Sequence, residues 1–573
     1  MTRSKNSGDG GPNLSLPQNC NQQQRDARQN EVKVACEEYQ FNHDWTGYPP
    51  LPEKVPKRET TWAEIAEMEA GFAMGIAASY AKQKFRYVEY EAEHLGKDKP
   101  PFSMYEALYD SSDPPIIARN DSWQQDSVFA LQQLQGMFPW FIQRVVNLDK
   151  FLETFPVQEQ AIANLLPPNE TLASLADAGK LYYTSQSVLE GAKATHDHVM
   201  TAPTTLFFVN IQGQLMPLGI QLYPVPAAGN PIFTPNDNQN TWLGVKIHAG
   251  CADALVYSLY SHVVLLHFVM CSVWTAANRT LPVEHPIYAL LKPHFWMTLY
   301  ATNQVKGSMD KDDSAQLEIM GIDITGQNMM VSRMYEKFDF GAYNPAVDLS
   351  NRGVDDEEKL PHFLYRDDML RLWSVDYDYV ESMMQLFYSS DSDIVNDYEL
   401  QAWMAELASK DGAGLVGLPI NQDGHIATRQ DLYELLTSVL LTVTSRHSSI
   451  VVSALHYGYV PANPYIYRLA APQDSRVALD LKTVSDCLPP ISKAMGGRDL
   501  LAAAAHFLPV EMNSLGNYPE GFTDDWPAGA AENIQKWQAA LDQVSEEINA
   551  RNKRLEYPYV ALDPKNTFNS IFN

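Results

Sequence analysis

Two histidines lie five residues apart inside a long uncharged segment of the chain. His262 and His267 belong to the 24 residues from Ala254 to Ala277, which contain no Asp, Glu, Lys or Arg. Imidazole nitrogens are common ligands of iron, zinc, copper and nickel, and an uncompensated imidazole is costly to bury. Five residues of α-helix separate two side chains by about 140°, whereas a π-helical turn brings positions i and i+5 to one face. The pair therefore indicates either a metal site on a π-helical segment or two hydrogen-bonded core histidines.

The segment that carries the pair is long enough to cross a bilayer. Its two histidines and its Ser and Thr residues favour the other interpretation, a helix buried on all sides in a large protein. The rest of the sequence also has a largely helical pattern of apolar residues. An example is TWAEIAEMEAGFAMGIAASYAKQKFRYVEYEAE, which has few Gly and no Pro.

Several motifs around the histidine pair, in this order, resemble those of the lipoxygenases. In the segment HVVLLHFVMCSVWTAANRTLPVEHPIYALLKPH, the pair is followed by Asn278-Arg279, His285-Pro286 and a Leu-Leu-x-Pro-His motif that ends at His294. Further blocks that are similar to the family, in its order, are WQQDSVFALQQLQGMFPWFIQRV, GQLMPLGIQLYPV, TPNDNQNTWLGVKIHAGCAD, RGVDDEEKLPHFLYRDDMLRLW and DYELQAW. The resemblance covers most of the chain.

The resemblance implies one non-haem metal ion held by His262, His267 and His447, together with the terminal carboxylate of Asn573. His447 lies in TVTSRHSSIVV, and the final NSIFN resembles the family's Asn-Ser-Ile-Ser-Ile end. An α-carboxylate is ionised at neutral pH and is a hard oxygen donor that suits iron or manganese. The manganese members favour a first spacing that is one residue shorter, so His-x4-His indicates iron, with manganese as the alternative.

Two positions depart from the family pattern. Val451, four residues after His447, replaces an Asn-type side-chain ligand and cannot bind a metal, and the last residue is Asn where the family has Ile or Val. His456 is a conceivable substitute ligand, although a loop is expected near it. Three imidazoles and one carboxylate still suffice to hold iron with open positions.

Other positions of the resemblance are expected around the site without binding the metal. Asn278, Arg279, His285 and His294 are interpreted as buried, hydrogen-bonded support. Val305 aligns with the residue that steers oxygen to one face of the substrate, usually Gly or Ala, and Gly307 would restore that rule after a small shift. The handedness of the product is therefore not predicted.

The expected fold is mainly α: one large lipoxygenase-like helical domain around a long central helix with a π-helical insertion, plus a small β-hairpin at Gln212-Gly213. Residues 1–40 are polar and are predicted to form a flexible N-terminal tail, and residues 41–573 the catalytic domain. A length of 573 residues would by itself suggest three or four domains. The family's N-terminal β-barrel is not expected in this chain.

The function that the resemblance implies is a dioxygenase that inserts O2 into a cis,cis-1,4-pentadiene of a linoleate-like polyunsaturated fatty acid, giving a hydroperoxide. A hydroxide on ferric iron, and not a side-chain base, would take the hydrogen atom. Two alternatives stay open. One is an enzyme that acts on a non-fatty-acid alkene or isomerises hydroperoxides, and the other is an inactive lipid- or partner-binding protein.

Composition limits the partners and the compartment. A net charge of −28 and a pI near 4.8 disfavour nucleic acid. Five scattered cysteines form no disulfide framework or metal-type pair. A monomer without a transmembrane segment is expected. The polar N-terminus contains no secretory signal, so a cytoplasmic location is favoured, with secretion as the alternative if a leader has been removed.

Overall fold

The computed structural model describes residues 13–109, 114–195, 197–311, 314–506 and 514–571, and most of them are helical. This confirms the mainly α fold class. The α-helices are α1 Gln22–Glu38, α2 Trp62–Glu93, α3 Ser103–Glu106, α4 Asp126–Leu131, α5 Leu148–Thr154, α6 Glu159–Ile162, α7 Leu172–Asp177, α8 Gln239–Val256, α9 Val269–Thr280, α10 Pro286–Leu291, α11 Thr298–Met309, α12 Ala315–Met320, α13 Ile324–Tyr335, α14 Pro345–Arg352, α15 Leu364–Met384, α16 Asp391–Asn396, α17 Tyr398–Ala408, α18 Arg429–Leu441, α19 His447–Tyr457, α20 Leu481–Asp486, α21 Ile491–His506 and α22 Ala530–Asn552.

Two π-helical segments interrupt the longest helices of the core. The first, Tyr257–Phe268, joins α8 to α9, so that one helix of 42 residues runs from Gln239 to Thr280. The second, Thr442–Arg446, joins α18 to α19 in a helix from Arg429 to Tyr457. Both are long and apolar enough to cross a membrane by length and composition, but 89% and 100% of their most apolar windows are buried inside the protein. Burial in the core thus accounts for the apolar composition of these two helices.

The strands are β1 Phe41–Asn42, β2 Leu51–Pro52, β3 Gln143–Arg144, β4 Leu181–Ser185, β5 Thr204–Val209, β6 Leu215–Gln221 and β7 Ile232–Phe233. The predicted hairpin is β5–β6, whose loop places Gly213 at φ +77°, a conformation that favours glycine. It belongs to a larger antiparallel sheet in the order β3-β4-β5-β6-β7. This sheet covers a small apolar cluster, and β6 packs against α4 and α8.

The prediction of a flexible tail is wrong for residues 13–40, and residues 1–12 lie outside the described residues. Asn21 and Gln24 form a capping box at the start of α1, and α1 packs against α9. Arg28, 4% exposed, forms a two-pronged ion pair with Glu399 at 2.5 and 2.9 Å. The polar composition did not predict this helix, because α1 is held by a few buried contacts and has no regular apolar face.

Candidate metal centre

Three histidine side chains converge in the core. The Nε2 atoms of His262, His267 and His447 lie 3.2 Å from one another in all three pairs. Metal–imidazole bonds are about 2 Å long, so nitrogens on one face of an octahedron or at the corners of a tetrahedron are about 2.9–3.4 Å apart. The three nitrogens therefore fit one transition-metal ion.

Hydrogen bonding alone cannot account for this arrangement. Each nitrogen of a neutral imidazole is either a donor or an acceptor. Among three nitrogens in mutual contact, at least one pair must consist of two donors or of two acceptors, which repel. A cation that accepts all three lone pairs removes the conflict, and this donor set suits iron or manganese as well as zinc.

The first π-helix places His262 and His267 on one face. Both residues lie within Tyr257–Phe268, so the five-residue spacing follows the wider π-turn that the sequence suggested. At its N-terminal end, Tyr257 donates a 2.5 Å hydrogen bond to the carbonyl of Ile450 in α19. This bond joins the helix with the histidine pair to the helix with the third histidine.

His447 is the first residue of α19, directly after the second π-helix. The motif identified the residue, but no feature of TVTSR predicted a π-helix there. The preceding Arg446, 5% exposed, was also missed; it donates to the carbonyl of Tyr343 at 3.1 Å and lies over the rings of Trp140 and Tyr343. The sequence feature that could have identified this residue is an arginine next to a histidine in an otherwise apolar helical segment.

Burial keeps the side chain of His262 uncharged. His267 and His447 are 0% exposed, and burial lowers the pKa of His262 to about 4. The His262 imidazole is therefore neutral at neutral pH, so one of its two ring nitrogens has a lone pair available for a metal.

The C-terminal segment is held beside this centre. Phe568, Ser570 and Ile571 are 0% exposed, and the Phe568 amide donates to Ser448, the residue after His447, at 3.0 Å. The side chain of Asn569 bonds the backbone of Gly516 and Asn517. Asn573, the predicted carboxylate ligand, lies outside the described residues.

His294 fastens the same segment through a chain of hydrogen bonds. Its Nδ1 lies 2.9 Å from the carbonyl of Asn569, so Nδ1 is the donor. Burial lowers the pKa of His294 to about 4, so Nε2 accepts from the hydroxyl of Tyr518 at 3.0 Å, and Tyr518 accepts from Tyr379 at 2.7 Å. His294 thus supports the C-terminal segment, and neither of its two hydrogen bonds goes to a proposed metal ligand.

We expect Tyr518→Phe to lower the free energy of unfolding by about 1–3 kcal/mol, because it leaves the buried Nε2 of His294 and the hydroxyl of Tyr379 without their partner. Denaturant-induced unfolding measures this loss. Tyr377→Phe, at a half-buried tyrosine on α15, is the matched control. Equal stability of the two variants would contradict the role of this chain of bonds.

Asn278 and Arg279 support the end of α9 and not the metal ligands. Asn278 bonds the carbonyl of Trp274 at 2.9 Å and the hydroxyl of Tyr288 at 3.1 Å. Arg279 pairs with Glu406 at 2.5 Å and donates to the backbone carbonyls of Cys36, in α1, and of Tyr39, directly after it. These contacts dock the N-terminal helix onto the core.

His285 belongs to a second group of side chains that could bind a metal, together with Asp397 and Glu399. Its Nδ1 accepts from the amide of Ile287, so Nε2 donates to Asp397 at 3.0 Å, and Asp397 also accepts from Tyr388. Glu399 is paired with Arg28. Internal partners thus satisfy this group, which serves the packing of α10 and α17.

The remaining predicted positions lie on α19 and α11. Val451 is 3% exposed and cannot bind a metal, and His456 is exposed near the end of α19. On α11, Val305 is half-buried against the core. Gly307 is exposed, and an added Cβ would meet no atom within 4 Å. The assignment of the oxygen-steering position to Val305, or to Gly307 after a small shift, stays a prediction.

The chain is similar to known lipoxygenases and to related enzymes. A family model described as Lipoxygenase matches residues 25–558. The human polyunsaturated fatty acid lipoxygenase ALOX15B is 28% identical over 95% of this chain and 79% of its own length. The human hydroperoxide isomerase ALOXE3 is 28% identical over 79% of this chain and 62% of its own. The allene oxide synthase-lipoxygenase protein of Plexaura homomalla is 28% identical over 81% of this chain, which spans about half of that protein, 46%.

Solved structures show the same fold. The coral 8R-lipoxygenase superposes with a TM-score of 0.86 at 25% identity, over 98% of this chain and 83% of that one. The manganese lipoxygenase of Gaeumannomyces graminis, at 20% identity, shares the fold with a TM-score of 0.83 over 97% and 99% of the two chains. With the family match across most of its length, the chain belongs to the lipoxygenase family of oxidoreductases.

Proposed function

We propose that this protein is a fatty-acid dioxygenase that inserts O2 into a cis,cis-1,4-pentadiene of a linoleate-like polyunsaturated fatty acid and releases a hydroperoxide. The observation that carries the proposal is the triangle of Nε2 atoms from His262, His267 and His447. Lipoxygenases use non-haem iron or manganese, and we propose iron. The terminal carboxylate of Asn573 is the proposed fourth ligand.

The chain's own contribution is to hold and shield the metal. The three imidazoles fix its position, and the buried helices around them keep water away from a reactive radical. When bound, the metal supplies the one-electron chemistry that activates a bis-allylic C–H bond. No carboxylate or thiol joins the three imidazoles in this cluster among the described residues, so we propose no side-chain base.

Metal analysis combined with conjugated-diene absorbance on linoleate tests this function. We expect about one iron per chain and diene formation coupled to O2 uptake. Metal-free protein that forms no diene after incubation with ferrous iron would overturn the proposal. It would favour the inactive lipid- or partner-binding alternative.

A second candidate is hydroperoxide isomerisation, or action on a non-fatty-acid alkene. The specific observation in its favour is the hydroperoxide isomerase ALOXE3, which has the same 28% identity to this chain as the fatty-acid lipoxygenase ALOX15B, although over 79% of this chain against 95%. Iron-loaded protein that consumes a fatty-acid hydroperoxide but no linoleate would support it.

Val451→Asn tests the missing side-chain ligand. Position 451 is one helical turn after His447, so an amide there can reach a metal that His447 binds. We expect metal release to a chelator to slow by up to about 10-fold. The metal-free variant should lose about 1–3 kcal/mol of stability, since the buried amide then has no partner. Val451→Thr is the control, and unchanged release from the Asn variant would contradict a ligand position here.

A further inference from the structure

Arg446 is a cation buried in the core beside a proposed metal ligand. It is 5% exposed, and one Nη donates to the carbonyl of Tyr343 at 3.1 Å. The guanidinium lies over the rings of Trp140 and Tyr343, 5.7 and 5.5 Å from their centres, and Nε has no hydrogen-bond partner. Within the part of the chain that the structure describes, Arg446 forms no ion pair. Two aromatic faces and one carbonyl offset only part of the cost of burying a charge, which indicates a role beyond packing.

The ionisable groups around Arg446 do not neutralise its charge. Burial raises the pKa of Tyr365, which lies beside the guanidinium, to about 12, and Arg446 lowers that pKa only in part. Burial also raises the pKa of Tyr343 well above its ordinary value, so both phenols are uncharged at neutral pH. Asp348, which also acts on the phenol of Tyr365, is already paired with Arg352 at 2.7 Å. The guanidinium therefore keeps its full positive charge in the core.

Arg446 is linked to both helices that carry the three histidines. It is the last residue of the second π-helix and directly precedes His447. Tyr343, whose carbonyl accepts from Arg446, donates its hydroxyl hydrogen to the carbonyl of Leu265 at 2.5 Å, inside the first π-helix. Successive side chains of a helix point about 100° apart and here reach about 6–7 Å, so the guanidinium lies about 13 Å from a metal that His447 binds.

We propose that the buried charge of Arg446 raises the reduction potential of the iron that His447 binds. The proposal rests on the proposed iron centre, but not on the identity of the substrate. When ferric iron takes up one electron, its positive charge falls by one unit, so a fixed cation nearby disfavours the ferric state more than the ferrous state. At about 13 Å and an effective dielectric constant of about 20, one unit charge changes the ratio of ferric to ferrous iron by about 10-fold. Arg446 thus makes the ferric ion a stronger one-electron oxidant.

A role for Arg446 in holding the structure alone would give a different result. If only its contacts with Tyr343 mattered, every substitution that breaks them would displace His447 and release the metal. If its charge matters, a neutral side chain of similar length should keep the metal, because removal of a cation does not weaken the binding of another cation. The reduction potential therefore separates the two roles, and metal content alone does not.

Redox titration of the iron-loaded, full-length protein without fatty acid tests the proposal, with ferric iron measured by electron paramagnetic resonance. At a fixed solution potential, Arg446→Met should keep its iron and show a ferric-to-ferrous ratio about 10-fold higher, which is a midpoint potential about 59 mV lower for a one-electron couple. Arg446→Lys keeps the charge and should stay within about 3-fold of the wild-type ratio. Arg371→Met, at an exposed arginine of α15, makes the same change in net charge and should leave the ratio unchanged, because solvent screens that position.

Two further variants separate the charge of Arg446 from its contacts. Arg446→Gln is a second neutral variant whose amide can still donate to Tyr343, and it should shift the ratio as Arg446→Met does. Tyr343→Phe removes the bond to Leu265 but leaves the charge, and it should keep the wild-type ratio. A wild-type ratio in either folded neutral variant, or an equal shift in Arg446→Lys or Tyr343→Phe, would overturn the proposal. Because no fatty acid is present, that outcome would leave the proposed dioxygenase function standing, which linoleate turnover tests separately.

Discussion

His447→Ala is expected to yield a folded protein that contains almost no metal and is at least about 100-fold less active. Changing a residue that only supports a metal ligand already costs about 10–100-fold in metal affinity or activity, so loss of the ligand itself should cost more. His447 is buried and lies 3.2 Å from both partner nitrogens, and the alanine side chain offers no lone pair in place of its imidazole. His262→Ala and His267→Ala should behave in the same way.

The control for this experiment is in the same helix. His456→Ala removes an exposed imidazole nine residues after His447, and it should keep both metal and activity. Metal content by mass spectrometry and O2 uptake measure the two effects separately. Full metal content in any one of the three core variants would refute that residue as a ligand, and metal loss in His456→Ala would revive it as a substitute.

A peptide tag fused after Asn573 is expected to lower metal content and turnover by about 100-fold. The fusion converts the proposed terminal carboxylate into a neutral amide that is a weaker ligand, and it must fit extra residues next to a segment that is already buried. Ser570 and Ile571 are 0% exposed, and the bonds of Phe568 to Ser448 and of Asn569 to His294 hold the segment in place.

The same tag at the N-terminus is the matched control, and it should leave metal content and turnover unchanged. Proteolytic removal of the C-terminal tag down to Asn573 should restore both. A C-terminally tagged enzyme with full metal content would contradict Asn573 as a ligand without affecting the assignment of the three histidines.

Local pattern predicted the elements that carry the chemistry. The uncharged run around His262 and His267 predicted a buried helix, and the five-residue spacing indicated the π-turn that the structure contains. The hairpin at Gly213 followed from two apolar runs with a glycine between them. These features depend on neighbours within one or two turns, so they are readable from spacing alone.

Contacts between residues far apart in the sequence could not be predicted from local spacing. The π-helix before His447 and the docking of α1 through Arg28 and Glu399, 371 residues apart, are held by tertiary packing and not by local propensity. The polar composition of α1 predicted a tail, because composition does not report the few buried contacts, such as the Arg28–Glu399 ion pair, that hold this helix.

The sequence by itself determined that this protein has an uncharged core helix with a metal-type histidine pair, and its motifs named His447 as the third member. Only the tertiary structure decided that His447, 185 positions from His262, meets it at 3.2 Å, and that His294 holds the C-terminal segment 275 positions away. The reason is physical: side-chain periodicity encodes which face of an element is buried, whereas the meeting of two faces depends on how every helix between them packs.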